Sequence, residues 1–285
     1  MIPCPDHHDP SGSSKPCGDA GGVHSIILDQ SSQAGQEMFI TSLRPYAQYL
    51  YPSPIFEPMA STDHENELRR VLTLPETIQL HVEFSPSPVR VASWSMYLPS
   101  QMASASAKRR SEFLTGRYCA AQALAKIGSH PPQWLGRNTN GLPCWPEGWL
   151  GSISHSGSGG WAAVGSRASF AALGIDMEHI FSERTMLDIQ SQIAHPTELE
   201  VLSNLPSTKA LTLLFSAKEA LYKALYPRVE QFFDFSAARA ISLQNNTLVL
   251  RLSQHWGLGW TEGSYISVRY AFRNNHVYTI AWVYE

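Results

Sequence analysis

Between Ala171 and Glu178 the sequence AALGIDME breaks an apolar run with two acids placed two residues apart. Side chains at i and i+2 of a β-strand point to one face, so Asp176 and Glu178 project together from whatever sheet this strand joins. Two carboxylates fixed on one rigid strand make half of an oxygen site for a hard cation such as Mg²⁺. The same alternation also describes a strand end bearing two solvated acids. What the pair does depends on its neighbours in the sequence, Ser154-His155 before it and Lys218-Glu219 after it.

The flanking segments alternate small sheets with single helices. Thr77–Phe84 and Val89–Leu98 alternate like strands, with Ser85-Pro86-Ser87-Pro88 as the turn. A helix is expected from Ala103 to Ile127, ended by Gly128, because Phe113, Ala120, Leu124 and Ile127 recur as a buried stripe requires. Residues 129–150, with four prolines and Asn140-Gly141, read as a loop. Gly151–Ser156, Trp161–Gly165 and Ala171–Glu178 then read as a three-stranded antiparallel meander, with the acid pair on its last strand.

Ser182–Leu205 is helical in pattern, broken at His195-Pro196. A long helix follows, Thr208–Leu225, stopped by Pro227 and striped by Leu211, Leu214, Phe215, Leu221, Tyr222 and Leu225. Strands return at Phe235–Leu243, Leu248–Leu252, Tyr265–Arg273 and Val277–Tyr284, with hairpin turns at Asn245-Asn246 and Asn274-Asn275. The order implies an α+β fold of two lobes, each a helix packed on a small antiparallel sheet. The divisions are a flexible leader at 1–35, an N-terminal lobe at 36–170 and a C-terminal lobe at 171–285 carrying the acid pair.

Composition narrows the function. At 285 residues and 43% hydrophobic the chain can bury a substantial core. A net charge of -3 argues against a nucleic-acid binder. No apolar run approaches the roughly 20 residues of a membrane span, and the N-terminus lacks a basic-then-apolar signal profile. Four cysteines, Cys4, Cys17, Cys119 and Cys144, make no disulfide framework, so a cytoplasmic setting is expected. Cys4, His7, His8 and Cys17 fit no standard zinc spacing. Residues 36–75 read as irregular and aromatic-rich, closing in a short charged helix near His64–Leu72.

Arg117 lies four residues after Phe113, close to the buried stripe, where a guanidinium suits bidentate contact with phosphate. Lys108, Arg109 and Arg110 make the same helix basic. Carboxylates for a metal beside Arg, Lys and His for phosphate oxygens point to phosphoryl-type chemistry. Ser154-His155-Ser156 is not a hydrolase nucleophile, since adjacent strand residues face opposite sides and no Gly-x-Ser-x-Gly elbow is present.

Five blocks occur in order: Arg110–Arg117 (RSEFLTGR), Asn140–Pro146 (NGLPCWP), Gly151–Ser156 (GSISHS), Gly174–Glu178 (GIDME) and Phe215–Lys223 (FSAKEALYK). Together they resemble the signature blocks of the 4'-phosphopantetheinyl transferases, the enterobactin synthase component D (Sfp-type) group in particular. The resemblance implies a pseudo-twofold pair of similar lobes with coenzyme A between them. It implies transfer of the phosphopantetheine arm to a serine hydroxyl of an apo acyl or peptidyl carrier protein by a monomeric enzyme. Asp176, Glu178 and Glu219 would hold Mg²⁺, with Mn²⁺ the alternative, and Glu219 would take the serine proton. Lys223, with Lys218 beside Glu219, would meet the pyrophosphate; Arg110, Arg117, Ser154 and His155 would face phosphate; Gly141-Leu142-Pro143 would lie beside the adenine end. Leu142 stands where some relatives carry a basic residue, which puts one phosphate contact in doubt. A metal-dependent nucleotide pyrophosphohydrolase and a non-catalytic coenzyme A-binding protein are the competing readings.

Overall fold

The computed structural model describes residues 61–128, 134–157, 159–257 and 259–285. The leader at 1–35, the Cys4-His7-His8-Cys17 question and the irregular stretch up to residue 60 lie outside the described residues.

Serine side chains set three of the helix starts. Ser87 and Ser106 each accept a backbone N–H three residues on, at 3.2 Å, opening α2 (Pro88–Ser93) and α3 (Ala107–Ala125). Ser182 opens α4 (Glu183–Ile193) in the same way. The break at His195-Pro196 is a capping box in which Glu198 accepts the His195 N–H, starting α5 (Pro196–Val201). The charged helix near residue 64 is α1 (Ser61–Val71). The long helix is α6 (Ser207–Val229), which runs through Pro227 instead of stopping before it. Proline in a final turn removes one hydrogen bond only, and the end comes at Glu230, whose φ of 48° is left-handed.

The expected strand at Val89–Leu98 is instead α2 and a 3-10 turn at Ser95–Tyr97. The cap at Ser87 and Pro88 at the first helical position overrode the short alternation of valines. The N-terminal strand itself is β1 (Gln79–Glu83).

Two antiparallel sheets result. The first, of three strands, has the order β1-β3-β2, with β2 at Trp149–Ser156 and β3 at Gly159–Ser166. The second, of five, has the order β4-β8-β7-β6-β5, with β4 (Phe170–His179), β5 (Ala238–Gln244), β6 (Thr247–Leu252), β7 (Tyr265–Arg273) and β8 (His276–Tyr284). The expected meander is therefore corrected: β4 leaves β3 and pairs with β8, Asp176 opposite Thr279. Both asparagine turns form as expected, with positive φ at Asn245, Asn246, Asn274 and Asn275.

Helix α3 packs on the three-stranded sheet and α6 on the five-stranded one. The free edge of β4 faces β2, where serine hydroxyls replace a backbone ladder. Ser152 accepts the Ile175 N–H and Ser154 the Met177 N–H, each at 3.1 Å. Behind this seam Trp161, Ile175, Met177 and Tyr278 form a wholly buried core. Gly174 brings β4 against α6: a Cβ there would lie 2.1 Å from the Ala220 carbonyl and 2.3 Å from the Ala224 nitrogen. Among the described residues no helix is long and apolar enough to cross a membrane.

Candidate active site

Asp176 stands where β2, β4 and α6 meet, and it is 0% exposed. Its Oδ1 accepts Ser154 at 2.8 Å and the Lys223 ammonium at 2.6 Å, while Oδ2 accepts Ser216 at 2.9 Å. Lys223 also donates to Ser154 at 3.2 Å. Burying a carboxylate is costly unless it is paired and hydrogen-bonded, and here one ammonium and two hydroxyls do both. Glu178, also buried, accepts its neighbour's His179 N–H at 3.0 Å and the Ser156 hydroxyl at 3.3 Å. Glu219, 3% exposed, borders a small cavity of about 20 Å³ with Tyr222, Phe232 and Trp256.

The three acids predicted to close on a divalent ion have the right chemistry but not a ready arrangement. Both Asp176 oxygens are engaged, one by a cation. Among the described residues no group of three His, Cys, Asp or Glu side chains is placed to hold a metal.

The basic residues divide into two sets. Arg117 is 6% exposed, its guanidinium 4.8 Å from the Phe113 ring centre, and its Nε has no hydrogen-bond partner. Burial, then the charge of Arg137, with Cys144 opposing and Arg109 adding, pushes its pKa down to about 10. Arg109 lies 3.1 Å from Nε2 of His155; a guanidinium only donates, so that nitrogen accepts. Arg137 donates from Nε to the Gly141 carbonyl at 2.9 Å and pairs with Pro143, bracing the Gly141-Leu142-Pro143 turn. Arg109 and Arg137 are the basic groups that spacing did not single out; Arg137, four residues before Gly141, brings positive charge to the turn where Leu142 offers none.

Arg110 and Lys218 are held by bonds within the protein. Arg110 donates to the carbonyls of Ala103 and Ala105, at 3.2 and 2.7 Å, and so ties down the start of α3. Lys218 is 5% exposed and turns inward to the carbonyls of Ile193 and Phe235 and to Glu198. Burial lowers its pKa, and Glu198 opposes that shift. It is an internal staple that also lines the small cavity beside Glu219.

A cleft of about 530 Å³, within the range of small-molecule sites, has Lys223, Arg167 and Arg228 as the basic members of its lining. The turn from Asn138 to Trp145 and residues 150–153 form one wall, and α6 from Tyr222 to Pro227 forms another. Lys223 lines the cleft on one side and holds Asp176 on the other. Such a cleft, with these basic side chains in its lining, has the size and charge to suit an anionic small molecule.

Comparison with known sequences agrees. Residues 98–165 match the 4'-phosphopantetheinyl transferase N-terminal domain, and residues 172–281 match the 4'-phosphopantetheinyl transferase superfamily. Enterobactin synthase component D of Salmonella typhimurium is 34% identical over 207 residues, which is 71% of this chain and 85% of the relative. The enterobactin synthase component D of Salmonella typhi is 37% identical over 161 residues, 55% of this chain and 66% of that protein. The transferase PptT of Mycobacterium tuberculosis is 35% identical over 167 residues, covering 56% and 65%. The chain belongs to the 4'-phosphopantetheinyl transferase superfamily.

Proposed function

We propose that this chain moves the 4'-phosphopantetheine arm of coenzyme A onto a serine hydroxyl of an apo carrier protein. The serine oxygen forms a new bond to the arm's phosphorus, the diphosphate bridge breaks, and adenosine 3',5'-bisphosphate leaves. The observation that carries this is Lys223, which stands in the wall of a nucleotide-sized cleft within 2.6 Å of a buried carboxylate. An ammonium there can follow a diphosphate as charge builds on its bridging oxygen. Arg117, buried without an acceptor at Nε, and the neighbouring Arg109, His155 and Arg137 would receive the nucleotide's other phosphate. Glu219 is the residue we assign to accept the serine proton.

Asp176, Glu178 and Glu219 remain the residues with the chemistry for Mg²⁺, which when bound would offset charge on the diphosphate. As they stand they do not form its site. The same reading makes residues 36–170 and 171–285 pseudo-twofold lobes of a cytoplasmic monomer.

The test is incubation with coenzyme A, Mg²⁺ and a panel of apo carriers. A carrier gaining the mass of the phosphopantetheine arm is expected. Cleaved coenzyme A with an unmodified carrier would mean a pyrophosphohydrolase, and no product at all would mean a binding protein. Glu219→Gln should lose most of the rate and keep most of the coenzyme A affinity, read by calorimetry.

A further inference from the structure

The five-stranded sheet has two unlike faces. Leu248, Leu250, Ile266 and Val268 point to the α6 side and join its core. Strand alternation turns Val249, Arg251, Tyr265 and Arg269 to the far side. Where β8 and the end of β7 lie, that far side is closed, because Ala271, Tyr278 and Ile280 pack with Leu68 and Leu72 of α1. Over β5, β6 and the start of β7 it is open: Arg251 is exposed and Tyr265 is 63% exposed.

This open area is basic with an apolar centre. The register sets Arg239, Arg251 and Tyr265 side by side across three strands, with Val249 beside Ser267 next along and then Thr247 beside Arg269. Like charges directly opposite one another, as Arg239 and Arg251 are, destabilise a sheet. The arginine ion pairs among the described residues are made by Arg90, Arg109, Arg228 and Arg273, and none by these three. Arg269 donates only to the Asn245 carbonyl, at 3.4 Å. Guanidiniums without acids select carboxylates, and arginine with tyrosine around a small apolar patch is the composition of protein interface centres. β5 is the free edge of the sheet, but its bulge leaves Ile241 unpaired and 42% exposed, which disfavours addition of a strand there. A net charge of -3 opposes the approach of nucleic acid.

We propose that the open face of β5, β6 and β7 is a docking surface for a second protein that presents carboxylates around an apolar centre. The cleft is walled by α6, on the other side of the sheet, so this partner leaves the cleft free. The proposal does not depend on the reaction assigned to the cleft.

The experiment titrates the full chain with a glutamate–tyrosine copolymer, with polyglutamate and with single-stranded DNA, and follows backbone amide shifts by NMR. The copolymer should move amides around Arg239, Arg251 and Tyr265, with an affinity that falls as salt is added. Arg239→Glu with Arg251→Glu should weaken it at least tenfold and Tyr265→Ser at least threefold, with coenzyme A affinity unchanged. If the double variant folds poorly, Arg251→Gln alone should still weaken the copolymer about threefold. Shifts centred elsewhere, or an affinity indifferent to the arginines, overturn the proposal. Polyglutamate binding as tightly as the copolymer, with Tyr265→Ser silent, reduces the face to a cationic patch and overturns it too. DNA held more tightly at the same amides makes it a nucleic-acid surface, and a dimer of the free chain that Arg251→Gln dissociates makes the occupant a second copy; either result overturns the acidic partner.

Discussion

Lys218 and Lys223 are five residues apart on one helix and do opposite things. The first is sealed beneath the carbonyls of Ile193 and Phe235 with Glu198, and the second reaches from the cleft to Asp176. Lys218→Met should cost about 3–5 kcal/mol, because it leaves Glu198 buried without its cation. Denaturant unfolding measures this, and coenzyme A affinity of the folded fraction should be unchanged. Arg117→Met should do the reverse. Relieving a buried, incompletely bonded guanidinium should raise stability by about 1–3 kcal/mol while coenzyme A affinity drops at least tenfold. Sequence spacing found Arg117, since a residue one turn from Phe113 must lie near the stripe. It could not separate Lys218 from Lys223, because whether a long side chain turns inward depends on the carbonyls that α4 and the Asp234–Phe235 turn present from elsewhere in the chain.

At the scale of elements, β4 and α6 meet backbone to backbone at Gly174. Gly174→Ala would set a methyl against backbone atoms of Ala220 and Ala224, which cannot rotate away, so a loss of more than about 3 kcal/mol is expected in thermal melts. The seam between β2 and β4 is of another kind. Ser152→Val should cost about 1–3 kcal/mol by leaving the Ile175 N–H buried without its acceptor. The periodicities of α3 and α6 and the two asparagine turns were legible in the sequence, since each is a local rule. The partner of β4 was not. A short turn after β3 favours a hairpin, and only the long-range pairing with β8 shows that β4 belongs to the other sheet.

The molecule as a whole carries histidines of opposite character. Burial lowers the pKa of His64, His179 and His276 below 6.5, and neighbouring charges (Arg273 on His64, His179 and His64 on His276) add to this. The unfolded chain therefore binds more protons at these groups, and their effect is to reduce stability as pH falls through about 6.5. His81 runs the other way. Burial alone would lower its pKa, but the Glu65 carboxylate 2.6 Å from Nδ1 and the Glu83 carboxylate 3.8 Å from Nε2 outweigh this and raise it. Its contribution is full below about 6.5 and fades as pH rises through its folded value. Melting temperatures should fall between pH 7 and 5, and His81→Gln should make that fall steeper; a flat profile would count against the assignment.

Because Gly174 sets the β4 backbone directly against that of α6, strand and helix should travel as one body, carrying Asp176 and Lys223 with them. If the nucleotide cleft widens, the displacement falls on the stitched border with β2, which can give way by releasing its hydroxyls in succession. In hydrogen exchange the Ile175 and Met177 amides should then open far sooner than their β8 neighbours Ile280 and Tyr278, marking a hinge that runs beside the reacting groups and never through them.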